Sequence, residues 1–177
     1  KQQMAKASEA YDKGDYETTK RLLAPLVEAG HPKAINAIGL MHDYGFRYDK
    51  DEMLACELYE KAALKGYASA QWNTSICYAQ AGGKNKFKRK RLYWLELADD
   101  NGNESAQVRM AANYYDSDRE QFLYWGKKAA AQGNTFAKIL LWGKGYGDLV
   151  PDLTWTSIAC GIVMTGIFEK GFTYCDE

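Results

Sequence analysis

Small and large apolar residues return in a fixed register along this chain. Glycines stand at Gly30, Gly66, Gly102 and Gly133, and four residues after each comes an alanine: Ala34, Ala70, Ala106 and Ala137. Four residues before the last three glycines lie Ala62, Ala98 and Ala129, and eight before them lie Leu58, Trp94 and Trp125. The glycines are 36, 36 and 31 residues apart. A period of this size, with apolar positions four apart on both sides of a glycine, marks stacked helix pairs. No segment alternates apolar and polar residues with period two over a useful length, so the chain is predicted to be all-α.

Each position has a physical reason. A glycine just past the last helical residue closes a helix C-terminus in the left-handed conformation without steric cost. Alanines on either side let antiparallel helices approach closely, while Trp94 and Trp125 fill the space farther from the turn. Asp15, Asp51 and Asp118 each precede a repeat glycine by fifteen residues, where they would N-cap the second helix of a pair. Phe87 takes that place in the second repeat, so this cap is lost or displaced. First helices are predicted over roughly 2–13, 32–44, 68–81, 104–115 and 135–144, and second helices over 15–29, 51–65, 88–101, 118–132 and 153–169.

The stretch DEMLACELYEKAALKGYASAQWN (51–73) resembles the Sel1-like repeat, a relative of the tetratricopeptide repeat, and KGDYETTKRLLAPLVEAGHPKAINAIG (13–39) is similar with a shorter loop. The resemblance covers roughly residues 5–147 and weakens after the first full repeat. It implies a right-handed superhelical α-solenoid of about five antiparallel helix pairs in a single domain over 1–177, with repeats roughly at 2–30, 31–66, 67–102, 103–133 and 134–171. It also implies a non-enzymatic protein-binding scaffold. Several bacterial members are secreted, periplasmic, or immunity proteins that neutralise toxins delivered by type VI secretion. That directs expectation to a protein partner, such as a toxin or effector with an acidic patch, and to the periplasm or envelope, with the cytoplasm as the alternative.

Composition narrows this further. In 177 residues, 46% hydrophobic content suffices for a continuous core. Twenty-three basic and 23 acidic residues cancel, so no global field favours nucleic acid or an anionic membrane, and only local patches carry electrostatic weight. The longest apolar run, around Ile158–Phe168, is interrupted by Gly161, Thr165 and Gly166 and is too short to span a bilayer. The numbering starts at Lys1, which leaves room for a leader or lipid anchor upstream.

Four cysteines lack the CxxC spacing of a zinc or redox site. Cys56 lies ten residues before Gly66 and Cys77 eleven after it, so a hairpin hinged there brings them to nearly equal height, as a disulfide or as two buried thiols. Cys160 and Cys175 would likewise tie the tail to the final helix; two bridges would imply an oxidising compartment. The run KNKFKRKR (84–91) holds six basic residues in eight. It reads either as a cationic ridge for an acidic partner, with Lys86, Lys88, Arg89 and Lys90 as contacts, or as a solvated interhelical loop.

Positions three, seven and ten after each repeat alanine are expected on the open helical face: Ala37, Met41, Tyr44; Asn73, Cys77, Gln80; Arg109, Asn113, Asp116. In tetratricopeptide-like proteins Asn or Arg on that face hold a partner's backbone, so the resemblance suggests Asn73, Arg109 and Asn113. Trp94, Trp125, Tyr59, Tyr78 and Tyr114 fall at packing positions and read as core, which leaves Trp72 and Tyr44 as candidate exposed anchors.

No cofactor, metal or catalytic motif stands out. His31 and His42 have no partner spacing, and GKGYG (143–147) lacks the strand and the Lys-Ser/Thr pair of a phosphate loop. A cell-wall hydrolase remains the competing class, with Asp116, Asp118 and Glu120 as the nearest acidic cluster, although their spacing suits a helix start. A third reading is a homodimer paired through Ile158, Ile162, Val163, Ile167 and Phe168 of the final helix.

Overall fold

The computed structural model describes residues 2–151, with side chains at all of these except 81–86. Among the described residues there are nine α-helices, one short 3-10 turn and no strand. The helices are α1 (Gln2–Asp12), α2 (Tyr16–Glu28), α3 (Pro32–Tyr44), α4 (Glu52–Ala63), α5 (Ala68–Lys86), α6 (Lys88–Asp100), α7 (Glu104–Tyr114), α8 (Arg119–Ala131) and α9 (Thr135–Gly143); the 3-10 turn is Gly147–Leu149. The chain divides into two compact units, the first through Asn103 and the second from Glu104. In the first, α1–α2, α3–α4 and α5–α6 are antiparallel pairs; in the second, α7 pairs with α8 and α9 packs on both. The predicted final helix, 153–169, lies outside the described residues, as do Cys160 and Cys175.

The four recurring glycines all take positive φ: 72° at Gly30, 80° at Gly66, 87° at Gly102 and 86° at Gly133. Their turns share one hydrogen-bond scheme. Each glycine N–H donates three residues back, to Val27, Ala63, Asp99 or Ala130, and the next N–H donates five back, to Leu26, Ala62, Ala98 or Ala129. This double closure satisfies carbonyls that a helix end leaves orphaned, and it needs a left-handed residue at the glycine position. The alanines four residues before the last three glycines therefore supply the acceptor carbonyl of the longer bond as well as a small side chain.

The predicted caps form. Asp15, Asp51 and Asp118 each accept a hydrogen bond from the backbone N–H three residues on, at Thr18, Leu54 and Gln121, over 2.9–3.0 Å. Phe87 precedes α6 without a side-chain cap bond. The repeat alanines are fully buried, and Trp94 and Trp125 retain only 5% and 8% of their exposure. Burying one such indole removes about 150–250 Å² from water, roughly 4–6 kcal/mol at ~25 cal/mol per Å². Tyr59 is buried with them, whereas Leu58, Tyr78 and Tyr114, read at packing positions too, are half-buried.

Two expectations need correction. The α5 helix does not stop near 81 before a loop; it continues through Lys86 and breaks only at Phe87. Thirty-six residues earlier, Gly45 adopts φ 72° and ends α3, and Asp51 starts α4. At the equivalent places stand Ala81 and Phe87, so the stop signal and the start signal are both missing, and no proline intervenes. The second correction concerns the supposedly open face. Met41 is fully buried in the core formed by Met4, Ala7, Leu23 and Ala34. Seven residues are nearly two helical turns, so position seven lies only about 20° from the packing alanine. It faces inward.

Candidate functional site

Within the first unit, a cavity of about 320 Å³ opens beside α3, α4 and α5. Its lining includes Tyr44, Trp72 and Asn73, three of the residues proposed from sequence, together with Asp43, Lys50 and Tyr59. Tyr44 is 62% exposed at the end of α3. Its ring stacks on Phe46 at 5.5 Å, and Phe46 stacks on Tyr16 at 4.3 Å, so an outward-facing aromatic surface rests on a packed support. The loop after α3 carries Arg47 in the left-handed region (φ 64°), held by an ion pair with Glu17 of α2.

Trp72 is half-buried, and its buried indole N–H has no acceptor among the described residues. Asn73 is also half-buried and donates from Nδ2 to Oδ1 of the buried Asn36, 3.0 Å away on α3. This bond fixes the amide and leaves the Asn73 carbonyl oxygen available as an acceptor. Tyr59, buried on α4, donates its hydroxyl to Asp43 at 3.0 Å. Burial, reinforced by the Asp43 carboxylate, raises the Tyr59 phenol well above its ordinary value. It is a fixed donor, not a titrating group, near neutral pH. The opening thus gathers aromatic surface, an amide and a carboxylate.

Sequence reasoning missed Asp43 and Gly39. Gly39 lies against Tyr59: a Cβ there would come within 2.8 Å of the ring, so the bare backbone lets Tyr59 reach Asp43. The legible signal was a glycine inside an otherwise helical stretch.

Cys56 and Cys77 form a disulfide with Cα atoms 5.8 Å apart, closing a separation of 21 residues. The bridge ties α4 to α5 and lines the cavity. The chain-entropy model assigns such a loop about 3 kcal/mol.

The basic run is helical on both sides of Phe87 rather than an interhelical loop. Lys88 is half-buried and Arg89 and Lys90 are exposed in the first turn of α6. The Lys90 ammonium stands 5.2 Å from the centre of the Tyr78 ring, and Tyr78 meets Phe87 edge-on at 5.7 Å. Lys86 ends α5, and its side chain is outside the described set. Arg109, exposed, and Asn113, half-buried, lie on α7 in the second unit, apart in the chain from the residues that line the cavity.

Of the acidic cluster considered for hydrolysis, Asp118 caps α8 and Asp116 pairs with Lys144 at 2.7 Å. Glu120 is exposed in the first turn of α8. Tyr146 of the glycine-rich segment accepts a 2.7 Å hydrogen bond from Arg119. Both segments have structural roles within the second unit.

No protein-family model matches the sequence, and no curated protein is similar to it in sequence. Solved structures are similar in fold. A Sel1 repeat protein from Oxalobacter formigenes superposes with a TM-score of 0.69 at 25% identity, over 82% of this chain and 61% of its own. A protective antigen present in uropathogenic Escherichia coli strains and displaying an SLR fold superposes with a TM-score of 0.62 at 19% identity, over 84% of this chain and 33% of its own. The fold is the Sel1-repeat fold. This chain spans about three fifths of the length of the first of these Sel1-repeat structures and one third of the second.

Proposed function

We propose that this Sel1-repeat chain is a non-enzymatic scaffold that binds another protein through the cavity edged by Tyr44, Trp72 and Asn73, and through the cationic turn at Lys88, Arg89 and Lys90. The observation that carries the reading is the convergence of the exposed Tyr44 ring, the half-buried Trp72 and the fixed Asn73 amide on one opening. Aromatic anchors dominate binding hot spots.

The narrower form of the proposal is a bacterial immunity or regulatory protein that covers the active site of a secreted effector, with the acidic patch of that effector meeting Lys86, Lys88, Arg89 and Lys90. Arg109 and Asn113 are candidates for a further contact from the second unit. A periplasmic or envelope location accords with the Cys56–Cys77 bridge, since disulfides persist in oxidising compartments.

The test is to purify the partner from the producing cell and titrate it calorimetrically. Tyr44→Ala and Trp72→Ala are each expected to weaken binding about tenfold or more, the range of an anchor residue. Lys88→Glu combined with Arg89→Glu and Lys90→Glu is expected to weaken it further at low salt than at high salt. Unchanged affinity in both sets would end the proposal. Turnover of a cell-wall substrate by the purified protein would replace it with the hydrolase reading.

A further inference from the structure

The two most exposed large apolar side chains among the described residues both belong to α4. Met53 is 79% exposed, near the first turn, and Leu64, at the C-cap, is 75% exposed. Between them, at spacings of four, three and four residues, come Glu57 and Glu60. These four positions share one helical face, so they form a stripe about 16 Å long, apolar at both ends and acidic in the middle.

The stripe borders a cleft of about 420 Å³ between α4 and α5, whose lining includes Met53, Glu57, Glu60, the Cys56–Cys77 bridge and Tyr78. Glu60 accepts a 3.2 Å hydrogen bond from the Tyr78 hydroxyl, which raises the phenol's pKa only in third place, after burial and the carboxylate charge. Glu52, one position before Met53, is paired with Lys50 at 2.7 Å. Among the described residues no cation lies within ion-pair distance of Glu57 or Glu60. Lys61, the next residue, is exposed, and the Lys90 ammonium stands 5.2 Å from the centre of the Tyr78 ring, but neither forms an ion pair with these carboxylates.

The geometry points to a second docking surface, which shares the Cys56–Cys77 bridge with the Tyr44–Trp72 cavity: α4 receives an amphipathic helix from a partner protein, with two basic residues between two apolar ones in matching 4-3-4 spacing. Charge complementarity selects the basic pair, and the apolar ends give each side chain a counterpart to cover. Met53 suits such a contact, because an unbranched thioether adapts to the surface it meets.

The test uses the full chain carrying carbon-13 methyl-labelled methionine. It is titrated with a capped sixteen-residue Ala/Gln helix bearing Leu at positions 3 and 14 and Arg at 7 and 10, and with a twin bearing Glu in place of Arg. The Met53 methyl signal is expected to move saturably with the Arg peptide while the buried Met41 and Met110 signals hold still. Glu57→Gln with Glu60→Gln should weaken this binding about fivefold at low salt, the effect of two exposed charge pairs. Three results would overturn the assignment: a stationary Met53 signal at millimolar Arg peptide, equal binding of the Glu twin, or binding unaltered in the double variant. Movement of Met53 with protein concentration alone would also overturn it, by giving the stripe to a second copy of this chain.

Discussion

The connection from α3 to α4 and the connection from α5 to α6 occupy the same place in successive repeats, yet they are built differently. The first is a loop of seven residues, opened by left-handed Gly45 and closed by the Asp51 cap. The second is the single residue Phe87, with the preceding helix carried on through Lys86. Replacing Gly45 by Ala81 and Asp51 by Phe87 removes both punctuation marks, and the helix propagates into the space the loop would use. The basic first turn of α6 is then placed where the helix dipole disfavours cations.

Cutting the covalent link between the two regions should have the largest effect. Cys56→Ser with Cys77→Ser, or reduction of the wild-type protein, is expected to lower stability by about 3 kcal/mol in urea unfolding. Both perturbations should agree. A loss confined to the reduced wild type would mean that the reductant acts elsewhere.

The next effect compares one position in two successive repeats. Gly39→Ala puts a methyl 2.8 Å from the Tyr59 ring, whereas the equivalent position one repeat later is the buried Ser75. The substitution is expected to cost about 2 kcal/mol through overpacking. Ser75→Ala should cost less, and chemical denaturation of the two variants gives the ranking directly.

Asp51→Ala is expected to remove about 1 kcal/mol by deleting a cap. Phe87→Asp should come out near neutral, because a new cap for α6 offsets loss of the edge contact with Tyr78. A Phe87→Asp variant as destabilised as Asp51→Ala would show that Phe87 is a packing residue first and a failed cap second.

The smallest expected effect appears in alkali. Tyr59, raised chiefly by burial and then by Asp43, stays protonated in the folded chain above pH 10, while the unfolded chain ionises. Its stabilising contribution is complete below pH 10 and declines as pH rises from there toward the folded pKa. The loss is on the order of 1 kcal/mol by pH 10.5 from one such group. Tyr11 and Tyr48 shift in the same direction, again mainly through burial. Tyr59→Phe is expected to flatten the alkaline slope by one proton, as read from melting curves between pH 9 and 11.

Much of the helical architecture was legible because its signals are local. A glycine that must be left-handed and an aspartate that must cap act within four residues of themselves, so Gly66 and Asp118 could be read without any neighbour. The α5 extension was legible in principle, since Ala81 and Phe87 stand in register with Gly45 and Asp51. The glycine and lysine content of 82–86 pointed to a loop instead. Met41 was misplaced by treating a seven-residue step as a change of face. The cavity was less legible: Tyr44 and Trp72 were singled out by being off the packing positions, but Asp43 and Tyr59 meet only once α3 and α4 pack.

Alanine-lined interfaces are smooth, and a smooth interface slips. Against that, Gln71, almost fully buried, donates to the Ala63 carbonyl at 3.3 Å and accepts from Asn101 at 3.2 Å, while Asn103 reaches the Ala68 carbonyl at 3.5 Å. Shifting one helix by a single residue would strand the Gln71 amide away from water and break these bonds together. The amides therefore act as teeth, allowing one alignment of the first unit's later helices and penalising its neighbours.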